Sequence, residues 1–216
     1  MNRNHDIRID RSKLHPQLNY KLGLLLKKCK KRGIFLIITE GFRSREQQDK
    51  LYAKGRTAPG NIVTNARGSS YSSQHQWGIA FDVAMNYDVD GDEKITDDTW
   101  NPKGFHEVAK IAKSVGLGWG GDWKSFQDTP HFYLKKWGTT TTKLKQQYGT
   151  FANFKKTWSA TVYRAKGLIL WKDVLKVNKI LRIPNGECVQ VLYAKLWYAK
   201  VKYKGEYGFV NKKYLK

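Results

Sequence analysis

The chain is poor in cysteine, in acid and in long apolar runs. Two cysteines, Cys29 and Cys188, stand far apart among 216 residues. That number excludes a disulfide framework, and the expected state is two reduced thiols formed in a reducing cytosol. No apolar stretch approaches the ~20 residues that span a bilayer, so membrane insertion is not expected. Met1-Asn2-Arg3-Asn4-His5-Asp6 has no apolar run after its charges, so the expectation is synthesis in the cytoplasm without a signal peptide. Asp and Glu number 18 against 40 Lys and Arg, a formal charge of +22. Such an excess predicts attraction to polyanions, whether nucleic acid, anionic membrane or anionic wall polymer, and does not choose among them.

What is present suits folded domains. Leu18, Leu22, Leu25, Leu26 and Cys29 recur at helical spacing after His15-Pro16, and Gly33 stops that helix. Ile34 to Thr39 reads as a strand. Ser44 with Gln47 forms a capping box, which predicts a helix from Ser44 to Lys54. Residues 56–74 read as a loop with a short strand at 62–64. A further helix is expected over 103–116, a Gly/Trp-rich loop over 116–123 and a strand over 132–134. The polar residues 1–13 read as a loose lead-in.

The chemistry concentrates in two stretches. Ser73-Gln74-His75-Gln76-Trp77-Gly78-Ile79-Ala80-Phe81-Asp82 offers an imidazole and a carboxylate seven residues apart. Asp128-Thr129-Pro130-His131 offers a second imidazole, with a carboxylate three residues before it. Two histidines and one aspartate form a three-ligand zinc set that leaves a fourth position for water. The expected ligands are His75, Asp82 and His131, with Asp128 as general base. Positions seven apart on one regular strand point to opposite faces. His75 must therefore precede the strand that carries Asp82, with Gly78 allowing a bend. Each histidine taken alone is more often a surface or core residue than a ligand. His106-Glu107 begins like a helical zinc motif, but position 110 is Lys and that reading fails.

Asp88, Asp90, Asp92, Thr96 and Asp98 resemble a calcium loop. The glycine stands at the fourth position, and Thr99 takes the place of the closing glutamate. The plainer alternative is an acidic surface loop that caps the following helix. Ser73 and Gln48 are candidates to position a substrate. Trp119 and Trp123 either wall a groove or pack.

Ser-x-His-x-x-Gly-x-Ala-x-Asp followed by Asp-x-Pro-His resembles the signature of zinc peptidases of the VanY-type D-Ala-D-Ala carboxypeptidase and phage L-alanyl-D-glutamate endopeptidase family. Gly41-Phe42-Arg43-Ser44, Gln48, and Leu51 to Thr57 resemble the segment before the first ligand. Gly118-Trp119-Gly120-Gly121-Asp122-Trp123 resembles the segment before the last. The blocks come in family order over roughly residues 15–137. The resemblance implies an α+β zinc peptidase domain, Hedgehog/DD-peptidase-like, with a small antiparallel sheet and helices. It also implies that Arg43 contacts substrate and stabilises charge on the attacked carbonyl oxygen.

Residues 155–216 hold 15 Lys and Arg against 3 Asp and Glu, a net +12. Short alternating runs with glycine punctuation predict a small all-β domain. Trp197 to Asn211 reads as a hairpin turning at Lys204-Gly205, with earlier strands at 168–171 and 180–183. This tail resembles a bacterial SH3-like wall-binding domain. The expected organisation is a peptidase domain at 1–137, a linker at 138–154 with room for a short helix, and an SH3-like barrel at 155–216. The expected protein is a monomeric phage-type endolysin cleaving the L-alanyl-D-glutamate bond of peptidoglycan, bound to the wall and its anionic polymers and released at lysis. A D-Ala-D-Ala carboxypeptidase is the runner-up. A basic nucleic-acid-binding protein explains the charge but not the separated His and Asp residues.

Overall fold

A computed structural model describes residues 4–216. The chain divides into two compact units, residues 1–14 with 18–151 and residues 15–17 with 152–216.

The first unit is a mixed sheet with helices. Its strands are β1 (Asp6–Ile7), β2 (Leu36–Glu40), β3 (Ala80–Met85), β4 (Gly118–Trp119) and β5 (His131–Tyr133), in the order β1-β2-β3-β5-β4. Its helices are α1 (Pro16–Lys30), α2 (Arg45–Ala53), α3 (Pro102–Ser114) and α4 (Thr142–Tyr148). Leu18, Leu22, Leu25 and Cys29 give α1 a fully buried stripe. Phe105, Val108, Ile111 and Ala112 do the same for α3. Leu36 and Ile38 alternate with half-buried neighbours on β2, as period 2 requires. Phe81 and Phe132 stack at 5.9 Å across β3 and β5. Burying a leucine or phenylalanine contributes about 1.5–3 kcal/mol, so these two helices and the sheet supply the core on which the site rests.

Three expectations for this unit are corrected. The lead-in is not loose where it is described: β1 pairs in parallel with β2, Asp6 beside Ile37 and Ile7 beside Ile38, while residues 1–3 lie outside the described residues. That pairing also makes the sheet mixed rather than antiparallel. Residues 62–64 form no strand, and Ile62 and Val63 are exposed. A two-residue edge strand has no periodicity to read, and an exposed β-branched pair imitates one. The short helix expected within 138–154 is α4, followed by the start of α5 (Phe151–Lys156), and Leu144 and Phe154 are completely buried.

The second unit is all-antiparallel apart from α5. Its strands are β6 (Ser159–Thr161), β7 (Leu168–Trp171), β8 (Lys179–Ile183), β9 (Cys188–Lys195), β10 (Tyr198–Tyr203) and β11 (Glu206–Asn211), in the order β6-β9-β10-β11-β7-β8. No ladder joins β6 to β8 among the described residues, so the sheet is open rather than a closed barrel. Lys204 and Gly205 turn the β10–β11 hairpin with φ of 46° and 87°. Both central residues at positive φ match the right-handed twist of the strands they join. Val162, Leu170, Ile183, Val189, Val201 and Val210 form the core.

Candidate metal centre

Ser73 opens a short 3-10 turn over Gln74–Trp77, and Gly78 closes it at φ 63°. Glycine reaches that left-handed conformation without a Cβ penalty. The chain then enters β3, so His75 lies on the turn and Asp82 on the strand. Asp82 and His131 are direct neighbours across the β3–β5 ladder. The turn brings His75 to the same place: its Nε2 lies 3.3 Å from Asp82 Oδ1. His131 Nδ1 lies 3.1 Å from the same oxygen. The two inward nitrogens are 3.2 Å apart.

The outward nitrogens are both engaged. His75 Nδ1 donates to Gly41 O at 2.7 Å. His131 Nε2 lies 2.8 Å from Gln74 Oε1. Two imidazole nitrogens and a carboxylate oxygen, facing one another and held from behind, fit a divalent ion of zinc character. His75, Asp82 and His131 form a group that can hold a metal ion.

The electrostatics follow from crowding. Burial works against a proton on His75, but the charge of Asp82 and its hydrogen bond outweigh it and raise the imidazole pKa. Burial alone would raise Asp82; His75 and His131 outweigh it and hold the carboxyl far below the usual carboxylate range. Asp128 moves the other way. Burial raises it, the charge of Asp82 adds to the rise, and His131 only offsets part of it. Two carboxyls in one site are thus driven apart, as acid–base chemistry requires.

Asp128 is placed by its backbone, with its N–H donating to Gly120 O at 3.1 Å and its own carbonyl accepting from His131 N at 3.2 Å. Its carboxylate lies 4.0 Å from His131 Nδ1. Arg43 leaves β2 toward the capped start of α2, and its backbone N–H donates to His75 O at 3.2 Å. Its Nη1 donates to Gln48 Oε1 at 2.8 Å, and its Nη2 lies 3.4 Å from Glu40. The buried Nε has no hydrogen-bond partner among the described residues.

Gln48 is fully buried, and its amide nitrogen donates to Thr64 and Ala66. Its amide oxygen accepts from Arg43 Nη1, so it ties that guanidinium to the following loop. Ser73 is partly exposed and its hydroxyl makes no capping bond. Trp123 stands beside the site, its ring 5.1 Å from His131 and its Nε1 donating to Tyr133 Oη.

The acidic loop assembles only part of the five-residue calcium set. Asp88, Asp90 and Asp98 come together. Asp92 turns to Lys94 at 3.3 Å. Asp98 is buried and accepts from Val89 N and Asn101 Nδ2, which makes it a support for the start of α3. The other histidines lie elsewhere: His5 bridges Leu26 O and Leu36 N, His15 stacks on Phe154, and His106 meets Trp119 edge-on.

Gln74 and Gly120 carry site geometry that the sequence reading passed over. Gln74 and Gln76 flank His75 symmetrically in sequence. Only tertiary partners separate them, since Gln76 donates to Gly68 O.

Fold and site define a class: an α+β domain whose neighbouring strands and an adjacent turn bring together two histidines and a carboxylate able to hold a metal ion. A family model described as D-alanyl-D-alanine carboxypeptidase matches residues 67–134, which include His75, Asp82, Asp128 and His131. The chain is 42% identical over 132 residues to the peptidoglycan L-alanyl-D-glutamate endopeptidase CwlK of Bacillus subtilis (strain 168), covering 57% of this chain and 74% of that one. The chain belongs to this peptidase family, family M15. It is also 32% identical over 160 residues to the L-alanyl-D-glutamate peptidase of Listeria phage A118, and spans 72% of itself and 49%, about half, of that relative. Among solved structures, the L-Ala D-Glu endopeptidase ChiX of Serratia marcescens aligns at 22% identity over 57% of this chain and 82% of that one, with a TM-score of 0.41.

Proposed function

We propose that the protein is a zinc-dependent L-alanyl-D-glutamate endopeptidase of the phage-endolysin type, acting on the peptidoglycan stem peptide. The observation that carries this reading is the meeting of His75, Asp82 and His131 beside an Asp128 of raised pKa. The two relatives named for the same bond, one of them from a phage, support the substrate. His75 Nε2, Asp82 Oδ1 and His131 Nδ1 would hold the ion, which would supply a water pKa lowered toward ~7.

The chain's own groups do the rest. Asp128 takes the proton of the attacking water and returns it to the leaving amine, since a carboxyl of raised pKa accepts and releases a proton more evenly than an ordinary one. Arg43, braced by Gln48 and Glu40, offers fixed positive charge to the carbonyl oxygen as it becomes an oxyanion. Trp123 walls the substrate on the His131 side, and Ser73 offers it a hydroxyl.

The second unit serves as an SH3-like module that delivers the enzyme to the wall. Trp197 is 44% exposed, and Lys176 Nζ stands 4.7 Å over its ring. Tyr198 meets Trp197 at 5.3 Å and Phe209 at 5.7 Å. Aromatic faces beside lysines suit sugars that carry anionic groups.

A D-Ala-D-Ala carboxypeptidase is the second reading, favoured by the description of the matching family model. Digestion of purified peptidoglycan followed by mass spectrometry separates the two. New N-terminal D-Glu supports the endopeptidase, and free D-Ala supports the carboxypeptidase.

A further inference from the structure

The two histidines of the metal group use opposite ring nitrogens, and the devices that enforce this differ. His75 turns Nε2 inward because Nδ1 faces Gly41 O at 2.7 Å. A backbone carbonyl only accepts, so Nδ1 must carry the proton and Nε2 keeps its lone pair. That arrangement belongs to the main chain. His131 turns Nδ1 inward, and its Nε2 faces a side chain, Gln74 Oε1, at 2.8 Å.

A carboxamide can present either end, so a glutamine alone fixes nothing. Here its orientation is fixed from behind. Gln74 Nε2 donates to Gly138 O at 3.2 Å. A flipped amide would set oxygen against that carbonyl and an N–H against the Nε2 proton of His131. Gln74 and His131 are 5% and 4% exposed, so water cannot repair a mismatch.

The Gln74 contact also opposes a real competitor. The Asp82 carboxylate, 3.1 Å from His131 Nδ1, draws a proton onto the nitrogen that must stay bare to bind a metal. A neutral imidazole carries one proton, and an acceptor at Nε2 draws it to the far side of the ring.

We propose that Gln74 is a positioning residue that, held by Gly138, sets the tautomer and orientation of His131 and so selects Nδ1 as the third metal donor. The proposal rests on the zinc reading above. Partners of this kind change metal affinity by roughly 10–100-fold when lost. Gln74 is not a ligand, so its loss weakens the site without abolishing it.

The test uses the full-length chain and zinc alone. Zinc affinity is measured by competition with a chromophoric chelator for the wild type, Gln74→Met and His75→Ala. Gln74→Met is expected to bind one zinc at roughly 10–100-fold lower affinity, between the wild type and His75→Ala. Nitrogen NMR of histidine-labelled, zinc-loaded wild type is expected to show His131 protonated at Nε2 and bare at Nδ1. In Gln74→Met that Nε2 proton should exchange faster with water.

A folded Gln74→Met chain with wild-type zinc affinity overturns the proposal. So does a wild-type His131 that binds zinc through Nε2, a result that needs no variant to fold. Failure of the zinc reading looks different. The wild type then binds no zinc, or His75→Ala binds it as tightly as wild type.

Discussion

Gly120 lies directly against Asp128. A methyl group on Gly120 would collide with the Asp128 carbonyl oxygen and sit 3.1 Å from the Cβ atoms of both Asp128 and His131. The absence of a side chain at one position therefore sets the place of the proposed base and of one proposed metal donor. Gly120→Ala should lower kcat/KM on a soluble stem peptide by about 100-fold, the usual cost of a displacement near 1 Å in a reacting group. Activity within threefold of wild type would show that the Asp128 loop relaxes without consequence.

The proposed zinc site predicts a sharp distinction between ligand and base. His75→Ala, Asp82→Ala and His131→Ala should each lose zinc and turnover, because two donors hold far less tightly than three. Asp128→Asn should keep one zinc per chain and lose most turnover. Elemental analysis alongside the peptide assay separates these outcomes, and zinc retained in all three ligand variants would refute the assignment.

Asp128 also predicts a pH effect on stability, measured on the metal-free protein. Its pKa is raised in the fold, by burial first and by the Asp82 charge second. The fold thus favours the protonated form. That contribution is complete below the unfolded pKa near ~3.9 and is lost as pH rises through the folded value. Asp128→Asn, which cannot ionise, should melt above wild type at pH 7, and the gap should close as pH falls toward 4. A variant that melts below wild type at pH 7 would contradict the sign.

The two thiols should behave unlike each other. Cys29 is completely buried, and desolvation pushes its pKa up to about 12. Cys188 is exposed. A chromogenic disulfide reagent should titrate one thiol rapidly in the native protein and two in denaturant. Two rapid thiols in the native protein would mean that α1 opens on the timescale of the assay.

For the second unit, charge is the variable to test. Lys176→Glu combined with Trp197→Ala should leave cleavage of a soluble stem peptide unchanged and slow the clearance of whole walls. Raising salt from 0.1 M to 1 M, which shortens the Debye length from ~10 to ~3 Å, should weaken wall binding of the wild type. Tight, salt-sensitive DNA binding with no wall binding would favour a nucleic-acid role for this half.

Legibility tracked how local each signal was. The capping box of Ser44 and Gln47, the Leu stripe of α1 and the Lys204-Gly205 turn are written in neighbouring residues, and all three are present in the structure. The convergence of His75, Asp82 and His131 came from a motif rather than from spacing, since nothing local draws position 131 to position 82. What stayed hidden depends on distant partners. Asp6–Ile7 becomes a strand only because β2 offers an edge. The contacts of Gln48 with Arg43, Thr64 and Ala66 cannot be read from its place on α2. The order of strands in the second unit, with β6 beside β9, likewise has no trace in alternation along the chain.

The cross-strand pairing of Asp82 with His131 has a mechanical consequence. The two are 49 residues apart in sequence yet adjacent in the ladder. An ion gripped by both would work as a clasp on a long loop, unable to close until β3 and β5 have found their register. Closing a loop of that length costs entropy on folding, a cost that grows only as the logarithm of length. Occupancy of the clasp would then be coupled to folding itself, contributing about 2.7 kcal/mol when free ion stands at 100 times its dissociation constant. Chelation would loosen the first unit as a whole, not only silence its chemistry.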